Sequence, residues 1–175
     1  MSGAAPALEI GEAFVGEGAE AAHVNTVLGP RAGPAGAAFA TALATPTAGH
    51  APFLVVLRPG LPVKPPTLFV NKAAIAGDAH ASLTWGAAQA GVAGGVADAV
   101  ADGVIAAADV DALVLIAAVW VAPTARDADA VYRNNRAATR AALAAGRDRQ
   151  PALDDVLAAR ARPENPFFRP GGSGR

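Results

Sequence analysis

The chain has 175 residues, 53% of them apolar and only 17% charged, with a formal net charge of -1 and no cysteine. That length sets a single domain as the expectation and suffices to bury an ordinary core. Disulfides, thiolate nucleophiles and thiolate metal sites are excluded by the cysteine count, and the lack of any basic run gives nucleic acid no electrostatic footprint. So little charge directs apolar surface into a core or against other subunits.

The first residues show no basic region followed by an apolar one, so no signal peptide is expected and a cytoplasmic location is. Residues 8–15 read as a strand and Gly16-Glu17-Gly18 as a hairpin turn. Residues 21–28 read as a second strand, on which His23 and Asn25 are two apart and share a face. Gly29-Pro30 ends it, and Pro34 opens a short alanine-rich helix over 35–43. The apolar run 53–57 reads as a buried strand ending at a rigid Arg58-Pro59-Gly60-Leu61-Pro62 connection. Residues 67–72 follow as a fourth strand.

A long helix is expected over 78–102, with Asp78 as its N-cap and Gly103 just past its end. Its stretch 79–97 carries no Asp, Glu, Lys or Arg but has four glycines, which makes it a buried or subunit-facing helix rather than a membrane span. Residues 113–121 form the strongest strand pattern, and 127–145 an alanine- and arginine-rich helix. The composition changes at Gly146. Residues 1–145 are therefore taken as one domain and 146–175 as a C-terminal extension, partly helical, with 165–175 a mobile tail. Strands in pairs followed by alternating helices give an α/β or α+β class: a sandwich of one mixed sheet covered by helices.

Chemistry-bearing residues are few. His23 can exchange protons near neutral pH, although a strand histidine is more often satisfied by the backbone. His50 and His80 suit solvated or capping roles, and the three histidines are too far apart for a local metal motif. Lys72 ends a strand, where the ordinary reading is a lysine with its head in water. Gln89 needs partners if buried, and an interhelical hydrogen bond would supply them. Arg58 and Lys64 read as surface charge, and Trp85 and Trp120 as core or interface. The residues alone stop at an α/β protein with a candidate site around His23.

Four segments in order carry more. They are Gly11-Glu12-Ala13-Phe14-Val15-Gly16-Glu17-Gly18 running into Ala22-His23-Val24; Gly33-Pro34-Ala35-Gly36 with Gly49-His50 and Leu57-Arg58-Pro59-Gly60-Leu61-Pro62; Lys64-Pro65-Pro66-Thr67-Leu68 leading to Lys72; and Gly86-Ala87-Ala88-Gln89-Ala90-Gly91. Together, over about residues 8–145, they resemble the formaldehyde-activating enzymes of methylotrophs and methanogenic archaea. The resemblance implies a ribosomal-protein-type β-α-β sandwich, a homopentamer with sites between subunits, and a lyase of one-carbon metabolism. The implied reaction condenses formaldehyde with tetrahydromethanopterin, a co-substrate, with no tightly bound cofactor, no metal, no nucleic acid and no membrane partner. It also implies His23 as proton donor, and carrier-binding positions at Asn25, Leu54, Lys72, Ala74 and Gln89. Asn25 stands where the family has aspartate, and Ala74 where it has threonine. Losing that carboxylate removes one influence favouring protonated His23, and losing the hydroxyl removes a hydrogen-bonding group. The two changes give a second expectation: a non-catalytic paralogue that binds a pterin or formaldehyde adduct as sensor or carrier.

Overall fold

The computed structural model describes residues 8–171; segments 1–7 and 172–175, which hold most of the stretch read for a signal peptide and the end of the tail, lie outside the described residues. Three antiparallel strands come first in space: β1 (Glu9–Val15), β2 (Ala22–Pro30) and β7 (Leu113–Trp120). β6 (Thr67–Asn71) pairs parallel with β7, and the short β3 (Phe53–Leu54) closes the far edge antiparallel to β6. The result is a five-stranded mixed sheet in the order β1-β2-β7-β6-β3. This is the mixed α+β, two-layer architecture expected from the sequence.

Alternation along the strands decides which face is covered. On β2, Ala22, Val24, Thr26 and Leu28 are buried while His23, Asn25 and Val27 are only half so. The buried side lies under α3 (Gln89–Ala101) and α4 (Ala128–Arg147). Small residues set how closely these layers meet. A Cβ on Gly11 would fall 1.8 Å from the Ala142 carbonyl oxygen, and one on Gly91 would fall 2.5 Å from that of Tyr132. Only hydrogen fits at those two places. Asp127 caps α4, its side chain accepting a hydrogen bond from the Ala130 amide at 2.9 Å.

The opposite face is covered at one end only. There α1 (Pro34–Ala44) packs on β2 and β7, with Ala35 against Gly29. Among the described residues, no helix packs over the end carrying His23.

Two expectations are revised. The run 53–57 is not one buried strand: it divides into β3 and β4 (Val56–Arg58), which pairs with β5 (Leu61–Pro62) in a separate hairpin. Val55 alone is fully buried, because its amide bonds to Thr67 and its carbonyl to Val63, while Leu54 and Leu57 stay exposed. The helix over 78–102 does form, as α2 (Asp78–Ser82), a π-helical stretch Leu83–Ala88 and α3 without a break. Gly77, at φ 89°, takes the N-cap position and Asp78 is the first helical residue. Gly103 has φ 73° just beyond α3. Among the described residues, no helix is long and apolar enough to cross a membrane.

Candidate active site

The uncovered end of the sheet gathers side chains from four strands or their ends. The β1–β2 register places Phe14 opposite His23 and Glu12 opposite Asn25. The β2–β7 register places Trp120 on the other side of His23. Lys72 follows β6 directly, with its amide bonded to the Val119 carbonyl at 2.7 Å. A cavity of about 340 Å³ is lined by Phe14, His23, Asn25, Lys72, Trp120 and the turn at Asn165–Phe167.

Two polar pairs organise it. His23 Nε2 lies 2.9 Å from Glu12 Oε1. Lys72 Nζ donates to Asn25 Oδ1 at 2.7 Å. The His23 imidazole titrates below its ordinary value. Partial burial is the main cause and the Lys72 charge the second, with Glu12 opposing both through charge and hydrogen bond. Lys72 falls to about 8, because burial disfavours its ammonium more than Glu12 favours it. The carboxylate beside His23 comes from Glu12 on β1.

The C-terminal extension reaches this place. It contributes α5 (Leu153–Ala159) and then a tight turn in which Asn165 and Phe168 exchange two backbone hydrogen bonds, while Asn165 Oδ1 accepts from the Phe167 amide at 2.9 Å. The Phe167 ring meets Trp120 edge to face at 5.7 Å between centroids. Glu164 and Arg169 line a wider opening of about 810 Å³ that continues toward Gly16–Gly18.

The six positions implied by resemblance fall in two groups. His23, Asn25 and Lys72 line the cavity, and Ala74 lies two residues beyond Lys72, exposed and against Gly49. Leu54 and Gln89 are elsewhere: Gln89 Oε1 accepts from the Val56 amide at 2.7 Å, beside exposed Leu54, and neither lines the His23 cavity. The other histidines are structural. His80 is buried, donating from Nε2 to the Val121 carbonyl at 3.0 Å and accepting at Nδ1 from the Ala76 amide. Its burial rules out the solvated half of the expected solvated-or-capping role, while its bond to the Ala76 amide at the helix start fits the capping half. His50 Nδ1 contacts the Asn71 carbonyl at 2.9 Å.

Glu12, Phe14 and the 165–167 turn were not singled out in the sequence. For the first two a signal existed: a hairpin through Gly16–Gly18 sets residues 12 and 14 across from 25 and 23. No sequence pattern brings residue 167 to Trp120.

Comparison with known proteins gives the family. The profile of the family described as "Formaldehyde-activating enzyme (Fae)" matches residues 10–168. The chain belongs to the formaldehyde-activating enzyme family. It is 42% identical over 158 residues to a 5,6,7,8-tetrahydromethanopterin hydro-lyase of Methanosarcina barkeri, covering 90% of this chain and 89% of that one. It is 46% identical over 148 residues to a bifunctional enzyme Fae/Hps of Methanococcoides burtonii, and 44% over 158 residues to one of Archaeoglobus fulgidus. These alignments take in 85% and 90% of this chain but only 37% and 40% of the bifunctional relatives. The family match therefore includes the turn that walls the cavity.

Proposed function

We propose that this chain is an enzyme that condenses formaldehyde with tetrahydromethanopterin, releasing water and leaving a methylene bridge between two carrier nitrogens. The observation that carries this reading is the pairing of His23 with Glu12 in an open cavity shared with Lys72, in a chain of this family. Addition of an amine to formaldehyde gives a carbinolamine, whose hydroxide leaves poorly. An acid that protonates it lowers that barrier, and a histidine serves near neutral pH. Glu12 favours the protonated imidazole and orients it through Nε2, which leaves Nδ1 to serve the reacting hydroxyl. Holding the reacting nitrogens and carbon in register supplies further acceleration.

The same reading has the carrier bound through Asn25, Leu54, Lys72, Ala74 and Gln89, in a cytoplasmic homopentamer with its sites between subunits. Two observations support the assembly. The carrier positions divide into two groups within one chain, and apolar Ile10, Phe14 and Leu54 stand exposed. A neighbouring copy that covers those residues would also join the two groups.

Stopped-flow condensation of formaldehyde with tetrahydromethanopterin tests the activity. Wild type should exceed the uncatalysed rate, and His23→Ala should lose roughly 10²–10⁴-fold of that acceleration. A wild-type rate equal to background would sink the reading. One observation favours the second reading, a binding paralogue: Asn25 Oδ1 is already occupied by Lys72, and Ala74 offers the ligand no polar side-chain group. Saturable carrier binding without turnover would establish it instead.

A further inference from the structure

The chain has two lysines, and they sit in opposite settings. Lys64 is exposed, with its Nζ 2.7 Å from the Asp111 carboxylate. Lys72 is half-buried in the cavity beside His23, and its Nζ is held by an amide oxygen, Asn25 Oδ1, at 2.7 Å. Among the described residues, no carboxylate lies within ion-pair distance of Lys72. A neutral acceptor orients an amine without fixing its proton as a carboxylate would.

We propose that Lys72 is the first amine to take up formaldehyde, holding it as an iminium that is then passed to the nitrogen of the second substrate. This rests on formaldehyde being the substrate of the site. Neutral Nζ attacks the aldehyde carbon, the C=O π bond opens, and a proton passes from nitrogen to oxygen, giving a carbinolamine. Protonated His23 donates to the hydroxyl, the C–O bond breaks, water leaves, and the nitrogen lone pair forms the iminium C=N bond. A carrier nitrogen adds to that carbon. A proton moves from it to Nζ, the Nζ–C bond breaks, and neutral Lys72 is restored. Closure by the second carrier nitrogen releases the proton that recharges His23. Nothing is oxidised or reduced, and the net change is aldehyde plus diamine to methylene bridge plus water.

The electrostatics of the cavity suit this exchange. The step that forms the iminium moves one positive charge from His23 to Lys72 and leaves the cavity's total unchanged, so no charge is created where solvation is poor. The groups facing the pair are Glu12 from β1 and, across the wider opening, Glu17, Glu164 and Arg169. With its pKa near 8, Lys72 is a free amine in about one molecule in ten near pH 7, against about one in 2,500 for an ordinary lysine. A desolvated lysine of this kind is a recognised carbonyl nucleophile.

Borohydride trapping tests it. The full chain is treated with formaldehyde near pH 7, reduced, and mapped for N-methylation at Lys72 and Lys64, with condensation rates measured in parallel. Lys72 should be methylated at least about tenfold faster than Lys64, because Lys72 Nζ is half-buried on a neutral amide oxygen while Lys64 Nζ is paired with the Asp111 carboxylate. Asn25→Asp should slow labelling of Lys72 and leave Lys64 unchanged, because a carboxylate beside Nζ holds its proton. Tetrahydromethanopterin added before borohydride should clear the label from Lys72 faster than from Lys64, which loses it only as free formaldehyde is consumed. Equal labelling of the two lysines, an unchanged Lys72 rate in Asn25→Asp, or label that persists in the presence of carrier would each overturn the inference. Accelerated condensation without preferential Lys72 labelling removes this step and leaves the enzyme reading intact. Preferential labelling without acceleration leaves uptake at Lys72 but overturns both the transfer and the enzyme reading.

Discussion

The two faces of the sheet are built by alternate residues of the same strands, yet they obey different rules. On β1, Gly11 points to α4 and touches its backbone, while Glu12 points the other way and touches His23. On β2, Val24 and Thr26 are almost fully buried, while His23 and Asn25 keep part of their surface open. The helix-covered face is governed by shape, because close packing tolerates no added atom. On the open face charge decides more: Glu12, His23, Asn25 and Lys72 meet there beside Phe14, Trp120 and Phe167, with two pKa values lowered. The first face holds the second in position, and the candidate site lies on the side where polar groups retain solvent.

Neighbouring substitutions on β1 should separate these rules. Gly11→Ala puts a methyl group 1.8 Å from the Ala142 carbonyl oxygen, so β1 must move off α4. A loss of about 3 kcal/mol or more is expected in urea unfolding. A midpoint unchanged from wild type would show that this contact does not limit the packing. Glu12→Gln, one residue along, should leave the unfolding midpoint nearly unchanged. It removes the carboxylate charge that raises His23, so the His23 titration midpoint should move to lower pH, and on the proposed function the upper pH limit of activity should fall with it. Proton NMR titration of the ring reads this directly, and an unmoved midpoint would deny Glu12 its electrostatic part.

The smallest expected effect concerns stability on the open face. Lys72 has a native pKa of about 8, below the value of about 10.4 for an unfolded lysine. Between those values the unfolded chain binds a proton that the native chain does not, so wild-type stability rises with pH across that window. Below it the native state bears the cost of a half-buried ammonium. Lys72→Met should therefore be slightly more stable than wild type at pH 7, with the gain shrinking as pH rises from about 8 toward 10. A variant less stable at pH 7 would mean that the Lys72–Asn25 hydrogen bond outweighs the desolvation of the ammonium.

Legibility differed between the two faces for the same reasons. Aliphatic runs and glycine or proline breaks placed β1, β2, β6, β7, α1 and α4 close to where they lie, because local periodicity records which side of an element meets the core. The same method merged β3 with β4, since a five-residue apolar run does not reveal that Val55 turns between two partners, Thr67 and Val63. His23 and Asn25 were legible as a same-face pair. The partners that set their protonation were not, because Glu12 reaches His23 through strand register and Lys72 reaches Asn25 across β7.

The sequence by itself determined the class of fold and the family, and marked His23 as the candidate for proton exchange. These are written in local patterning and in ordered motifs that survive without contacts. Only the tertiary structure decided which charges act on that side chain, that Gln89 and Leu54 stand apart from it, and that a turn from the C-terminal extension closes its cavity against Trp120. Those facts depend on groups tens of residues apart meeting within a few ångströms. Electrostatic influence falls with distance in space, and separation along the chain does not measure that distance.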